Sequence, residues 1–280
     1  PLTLEGPLFK GDRESSKTSV IASVRRSYLQ YLFGVIGLPI LPDYWDYQYK
    51  LTHEINDLNE ITLSGIGSID NFSDNELDEF DPQQQAIQDQ VPIINQRTNT
   101  IGVSWKRRFK DRSGFMQTAV SSNFLQNQFQ QFDDNIAQQG LYFTNDSKEQ
   151  ETKIRYGLTK FLGNWTWAMG ATGQWANYTN STLDLVNGFG YRTDLGFLKL
   201  GMFTQISSKL AGDRVSFSAG VRTDGNGFTD DGSNFLRTLS PRASVSVRLD
   251  DAEKWAWNVS GGRYFKLPPY TVLGFKDLSG

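Results

Sequence analysis

The chain contains no cysteine and a single histidine, His53, among its 280 residues. Without cysteine there is neither a disulfide framework nor a thiolate metal site, and one histidine cannot form a histidine metal cluster. No run of about 20 apolar residues is present, so no helical membrane span is expected. The net charge of -3 argues against a nucleic-acid partner. The composition therefore disfavours disulfide-stapled domains, thiolate metal proteins and nucleic-acid-binding modules.

The clearest positive feature is the alternation of apolar and polar residues between positions 165 and 176. Successive side chains of a β-strand point to opposite faces, so every second residue shares one face. Ten residues at ~3.3 Å each, tilted by ~40°, rise roughly 25 Å, which is the height of the apolar band of a transmembrane barrel. Tryptophan suits the two rims of such a band, because its ring is apolar and carries one N–H. The apolar face of this segment is formed by Trp165, Trp167, Met169, Ala171, Gly173 and Trp175.

Similar segments recur along the chain and predict about twelve strands. Short turns rich in Gly, Asn and Asp alternate with longer polar connections, which we place outside the cell at 72–96, 131–149, 179–190 and 226–236. In lipid every backbone polar group must be paired within the protein, so this pattern predicts an all-β, antiparallel up-and-down transmembrane β-barrel. The facing of residues 191–206 stays open, because apolar residues occupy both faces there. The predicted strands are 2–9, 17–31, 44–55, 59–70, 97–109, 114–129, 150–161, 165–178, 192–207, 213–227, 237–249 and 254–266.

The average composition is compatible with a barrel, although it resembles that of a soluble protein. The mean hydropathy is -0.47 and 21% of the residues are charged. A barrel exposes only every second strand residue to lipid, while its lumen and loops stay polar, so average hydropathy carries little information. The aromatic content of 13%, with seven tryptophans, fits two interfacial girdles.

Four stretches resemble, in order and spacing, the barrel strands of TonB-dependent outer-membrane receptors, particularly the Bacteroidetes type. In the last stretch Ser240-Pro241-Arg242 opens a strand, and Gly262-Arg263-Tyr264-Phe265 closes the next. The resemblance spans nearly the whole chain. The stretches are 17–32, 42–49 (PDYWDYQY), 55–65 and 239–270.

The resemblance implies a 22-stranded barrel filled by an N-terminal plug, which imports a scarce nutrient with energy delivered through TonB. Residues 1–280 would then form part of a single barrel domain, with the plug and the C-terminal strands lying outside this sequence. The implied location is the outer membrane of a Gram-negative bacterium. The implied partners are outer-membrane lipid, the plug, the remaining strands, TonB and an unknown small ligand, with no cofactor.

Binding and transport in such a receptor depend on polar side chains that face the lumen. By alternation, Arg25 lies on the strand face opposite to Val24, and Arg222 and Asp224 lie on the face opposite to Val221. The ordinary interpretation is that lumen charges pair with one another and with the plug, but those near the outer ends could contact ligand. No catalytic residue and no metal ligand is predicted. The candidate ligand-binding residues are Arg25, Glu151, Lys153, Arg222, Asp224 and Tyr264.

Two oxygen-rich segments, 74–81 and 224–232, invite a calcium interpretation, because hard cations need several oxygen ligands. The glycine usual in such loops is absent from the first, and we interpret both as solvated loops. An enzyme is disfavoured, since His53 shares its face with Leu51 and is predicted to face lipid.

Two other functions stay open at this stage. A passive porin-like channel shares the alternation and the girdles, and the presence of a plug would distinguish a receptor from it. A soluble all-β ligand-binding or adhesin domain would use loop aromatics for binding. All predicted strands except the first have 12 to 16 residues, which argues against such a domain, because strands of globular sheets usually have about 5 or 6. The aromatics concerned are Tyr142, Phe143, Phe189 and Phe235.

Overall fold

The computed structural model describes residues 1–8, 16–38, 40–74, 91–250 and 254–276, together with Pro82. Twelve antiparallel strands form one sheet in sequence order, with β1 and β12 at its edges. In the ranges that the structure describes, two short helices, α1 and α2, lie outside the sheet. The elements are β1 (Leu2–Pro7), β2 (Thr18–Arg26), α1 (Leu29–Val35), β3 (Ile40–Asn56), β4 (Asn59–Asp74), β5 (Ile93–Arg108), β6 (Gly114–Asp134), β7 (Gln139–Leu162), β8 (Trp165–Asp184), β9 (Phe189–Leu210), β10 (Val215–Asn226), β11 (Ser240–Arg248), β12 (Ala256–Gly262) and α2 (Tyr270–Leu273).

Long, nearly uninterrupted ladders of backbone hydrogen bonds join the strands. The β7–β8 ladder runs from Leu162↔Trp165 to Phe143↔Asp184 without a register shift. Tight turns fix the register at one end of each hairpin. A one-residue slip in this register would move every side chain to the other face. At the β3–β4 turn the Asn56 side-chain oxygen accepts hydrogen bonds from the backbone N–H groups of Leu58, at 3.1 Å, and Asn59, at 3.0 Å. The β7–β8 turn uses Gly163 at a φ of 63°, a conformation that glycine adopts without strain.

The registers collect most apolar residues of the strands on one face of the sheet. The pairs place aliphatic residues of five successive strands in one row, and Val103, Val120 and Ile154 of this row are 47%, 47% and 53% exposed. In the described part of the chain only five hydrophobic side chains are buried. An exposed apolar surface of this extent needs an apolar medium to cover it, which lipid provides. The row consists of Leu51, Leu63, Val103, Val120 and Ile154.

The twelve predicted strands are all present, and the structure settles the facing of 191–206. Trp175 pairs with Leu198, so Leu198, Leu200 and Met202 belong to the apolar face. Phe197, Lys199 and Phe203 therefore lie on the opposite, polar face. The all-β, antiparallel up-and-down prediction is confirmed.

The predicted long connections at 131–149 and 179–190 are wrong, because the strands continue through most of them. Residues 135–138 join β6 to β7, and residues 185–188 join β8 to β9. The sequence suggested loops because the apolar alternation stops there, but backbone pairing does not require apolar side chains. Polar side chains bond between the two extended hairpins, with the Asn145 amide of β7 donating to Asn180 of β8 at 2.8 Å and to Thr182 of β8 at 2.7 Å.

The predicted strand 17–31 is also too long. β2 ends at Arg26, and α1 follows in the same connection, where the Ser27 hydroxyl oxygen accepts a hydrogen bond from the Leu29 N–H at 3.1 Å. The last predicted residue of the first strand, Phe9, and most of the predicted turn at 250–253 lie outside the described residues. Neither α1 nor any other helix in the described ranges is long and apolar enough to cross a membrane.

The close approach of β7, β8 and β9 at Gly170 gives the first prediction. A Cβ atom at Gly170 would lie 2.6 Å from the Tyr156 carbonyl oxygen and 2.6 Å from Phe203 Cε1. We expect Gly170→Ala to lower the free energy of unfolding by about 1–3 kcal/mol, because the backbone carbonyl cannot move aside without disturbing the ladder. The measurement is urea unfolding of the detergent-solubilised protein followed by tryptophan fluorescence.

The matched control is Gly157→Ala, in the residue that pairs with Gly170 across the strands. A Cβ atom at Gly157 would have no heavy atom within 4 Å, so this variant should change stability little. Equal losses in the two variants would contradict the steric explanation.

Candidate functional site

Charged side chains converge on the polar face of β7, β9 and β10. Strand pairing places Lys153, Gln174 and Lys199 in one row, and Arg155, Thr172, Gly201 and Asp224 in the next. These side chains border a cavity of about 790 Å³, whose other wall is the segment 265–270. We call the following residues the lumen cluster: Glu151, Lys153, Arg155, Lys199, Arg222, Asp224 and Tyr270.

A glycine makes room for the polar groups at the floor of the cavity. The Arg222 guanidinium donates to both Asp224 carboxylate oxygens, from Nε to Oδ2 at 2.7 Å and from Nη2 to Oδ1 at 2.5 Å. A Cβ atom at Gly201 would lie 2.7 Å from Asp224 Oδ1, 2.8 Å from Thr172 Oγ1 and 2.9 Å from Arg222 Nη2. The absence of a side chain at Gly201 thus allows three polar side chains from β8 and β10 to meet above β9.

The chain that follows β12 crosses back over the polar face, and we call residues 263–276 the strap. Its anchor is Tyr270, whose hydroxyl donates to the Glu151 carboxylate and accepts from the Lys199 ammonium group. Lys199 Nζ also donates to Glu151 Oε1 at 2.8 Å. Burial raises the pKa of the Tyr270 hydroxyl, so the phenol stays protonated and serves as a donor. The three groups form a closed triangle between the strap and β7 and β9.

Apolar packing supports the same anchor. Ala176, Tyr178, Phe197 and Tyr270 form the hydrophobic cluster of buried residues in the described part of the chain. The Tyr270 ring lies 5.9 Å from the Tyr178 ring and 5.8 Å from the Phe197 ring, centroid to centroid. The Thr193 hydroxyl donates to the Gly274 carbonyl oxygen at the far end of the strap. Burial, aromatic packing and hydrogen bonds therefore hold the strap on the sheet together.

The cations of the cavity outnumber its acids. Lys153, Arg155, Lys199, Arg222 and Lys266 face Glu149, Glu151 and Asp224, so five positive charges against three negative ones leave a net charge of +2. Glu151 and Asp224 are engaged by Lys199 and Arg222. Within the described residues Lys153 and Arg155 have no ion pair and no hydrogen bond from their side chains, and both are exposed to the cavity.

A smaller cavity of about 410 Å³ adjoins this site and shares Arg155, Phe203 and Arg222 with it. Tyr264 of the strap lines the smaller cavity, and the Arg242 guanidinium carbon lies 4.4 Å from the centre of its ring. The two cavities meet along β7 and β10, so the polar face presents one connected concave region.

The structure brings most of the predicted site residues together. Glu151, Lys153, Arg222 and Asp224 line the larger cavity, and Tyr264 lines the adjoining one. Their part in ligand binding stays a prediction.

Arg25 lies apart from the other predicted site residues. It is on β2, where its Nε donates to Asp46 Oδ2 at 2.7 Å, and Asp46 is its partner on β3. This pair matches the ordinary interpretation of a lumen charge.

Lys199 and Tyr270 are site residues that the sequence alone does not identify. Lys199 lies in the segment whose facing the alternation left open. No local pattern identifies Tyr270, because its contact with Glu151 joins residues 119 positions apart.

The two oxygen-rich segments give no metal site in the described ranges. Residues 75–81 of the first segment lie outside those ranges. In the second, Asn226 Oδ1 accepts hydrogen bonds from the backbone N–H groups of Phe228 and Thr229, and Arg237 pairs with Asp231. These contacts order a loop.

Comparison with known proteins identifies the fold. No family model matches the chain. No curated protein matches it either.

Several solved structures match the chain. One is the outer-membrane ferripyoverdine receptor of Pseudomonas aeruginosa, with 11% identity and a TM-score of 0.61 over 92% of this chain and 39% of that one. The siderophore receptor PirA from Acinetobacter baumannii gives 13% identity and a TM-score of 0.60 over 95% and 40%. The outer-membrane transporter YddB from Escherichia coli gives 12% identity and a TM-score of 0.58 over 94% and 37%.

The likeness shows that the chain has the fold of an outer-membrane β-barrel and covers about two fifths of the length of these proteins. In such a barrel the apolar face contacts lipid and the polar face lines the lumen. The lumen cluster and the strap therefore lie on the inner wall.

The Tyr270 anchor gives the second prediction. We expect Tyr270→Phe to raise amide hydrogen exchange several-fold in the strap, because about 1 kcal/mol of hydrogen bonding is lost while the ring packing remains. The measurement is hydrogen–deuterium exchange with peptide-level mass spectrometry.

Tyr264→Phe is the control, since the Tyr264 hydroxyl makes no hydrogen bond within the described residues while its ring packs on Arg242. Unchanged exchange in Tyr270→Phe would show that packing alone holds the strap.

Proposed function

We propose that this chain is barrel wall from a TonB-dependent outer-membrane receptor of the Bacteroidetes type, which imports a scarce nutrient into a Gram-negative bacterium. The complete protein would include an N-terminal plug and further strands. Its partners would be outer-membrane lipid, TonB and a small ligand. The protein would carry out binding and transport, and no bond would be made or broken in the ligand.

The observation that carries the proposal is the pairing of a lipid-facing apolar surface with a charged, strap-covered cavity on the opposite face. Solved structures with a similar sheet are named as a siderophore receptor, a copper transporter and an outer-membrane transporter. Those structures match more than four fifths of this chain. The sequence resemblance in 17–65 and 239–270 supports the same family independently.

The lumen cluster fits the first step of such a transport cycle. Ligand entering from the loop side would meet the unpaired cations Lys153 and Arg155 and the strap above them. The Arg222–Asp224 and Lys199–Glu151 pairs would keep neighbouring side chains in place, so that little ordering is needed on binding. Movement of the plug would then open the path to the periplasm.

Dependence on TonB is the third prediction and tests the proposal. In the source bacterium, deletion of the gene that encodes this chain should slow growth when its nutrient is limiting, with iron, cobalamin and glycan limitation tested in parallel. Removal of TonB, or collapse of the proton gradient with a protonophore, should abolish uptake in the same cells, because energy for release comes from the inner membrane. Uptake of the labelled nutrient is the measurement.

A strain that carries the gene on a plasmid is the control and should regain uptake. Uptake that continues without TonB would contradict the receptor and favour the passive porin. Absence of the protein from the outer-membrane fraction would contradict both.

A further inference from the structure

We propose that the 790 Å³ cavity between the strap and the barrel wall binds an anionic small molecule through Lys153 and Arg155. The inference rests on the proposed function, since it treats this cavity as part of the ligand path. It goes further by naming the chemical class of the ligand.

The charge balance within the cavity is the first argument. Each acid near the floor already has a cation: Asp224 is held by both guanidinium donors of Arg222, and Glu151 by Lys199 and Tyr270. The remaining acid, Glu149, lies four residues from Lys153 on the same strand, about 13 Å along it. Glu151 lies two residues from Lys153 on the same face, but it is hydrogen-bonded to Lys199 and Tyr270. An entering anion would therefore meet two cations that are not hydrogen-bonded to a carboxylate.

The positions of the two cations are the second argument. Lys153 and Arg155 are two residues apart on β7, so they share the lumen face at a spacing of about 6.6 Å. Lys153 pairs with Gln174 and Arg155 with Thr172 across the β7–β8 ladder, which places neutral hydrogen-bonding groups beside each cation. The arrangement suits a ligand with two or more carboxylate or phosphate groups, which Arg binds in a bidentate manner.

The walls of the cavity are the third argument. Phe203, Leu267 and Pro268 line it beside the charged groups. A volume of 790 Å³ lies within the range of about 300–1,000 Å³ that is usual for small-molecule sites. The site could thus hold the carbon skeleton of an organic anion as well as its charged groups. The strap, anchored by Tyr270, forms the wall opposite the strands.

The fourth prediction is a binding experiment on the full-length protein in a neutral detergent, with isothermal titration calorimetry as the readout. The probes are citrate for carboxylates, inorganic pyrophosphate for phosphates and raffinose as a neutral compound. We expect citrate or pyrophosphate to bind, raffinose not to bind, and added salt to weaken binding. Lys153→Gln combined with Arg155→Gln should weaken binding about tenfold or more, because charged hydrogen bonds are lost.

Two further variants keep the result specific. Lys50→Gln is the matched control: Lys50 is on the same face of β3, four strands away, and its side chain makes no ion pair within the described residues. Binding should be unchanged in it. Arg155→Lys should retain part of the affinity, because it keeps the charge but loses the bidentate geometry. Heat-dependent mobility on SDS gels shows whether each variant has folded.

Failure of both anions to bind would overturn the inference, and so would equal binding by the double variant. An acidic segment of the plug lying on these cations would give the first of these results. The outcome is independent of TonB, because the binding assay contains none. TonB-dependent uptake without anion binding would therefore contradict only this inference. Anion binding together with TonB-independent uptake would contradict only the proposed receptor function.

Discussion

Pairing of every backbone N–H and C=O group between neighbouring strands is the constraint on which the rest of the structure depends. In hydrocarbon no water is available to satisfy these groups, and each unpaired one costs several kcal/mol. The ladders consequently run over as many as 24 residues in one strand. The ladders continue beyond the apolar band. Once the register is set in lipid, the polar parts of the same strands can go on pairing in water. This accounts for the long hairpins β6–β7 and β8–β9, where the side chains alone suggested loops.

Because of the same constraint, large apolar side chains lie on the outer surface of the sheet and not in a central core. Trp167, Val120 and Ile154 are exposed on the face that lipid covers, at 38%, 47% and 53%. A buried apolar cluster forms instead on the lumen face, where Tyr270 of the strap packs on Tyr178 and Phe197. The strap is thus held by forces that act in water, whereas the sheet is held by forces that act in lipid.

The lumen cluster joins this packing to electrostatics. Gly201 permits Arg222, Asp224 and Thr172 to converge, and the Glu151–Lys199–Tyr270 triangle fixes the strap against the neighbouring strands. Both arrangements engage acids and leave Lys153 and Arg155 facing the cavity. Solvent screening limits the strength of exposed pairs, so their main effect is to orient side chains. A partly covered cavity with fixed neighbours and unpaired cations is well suited to capture a charged molecule.

The sequence by itself determined the strand count, the antiparallel order and, outside residues 191–206, the lipid-facing residues, because a two-residue period and tight turns are local properties. It also placed Glu151, Lys153, Arg222 and Asp224 on the lumen face by parity alone. The tertiary structure decided features that the alternation of strand faces does not specify. It joined those residues into one cavity, separated Arg25 from them, ended β2 at Arg26 in favour of α1, and brought Tyr270 to Glu151. The cavity and the Tyr270–Glu151 contact depend on residues far apart in the chain, which no local pattern brings together.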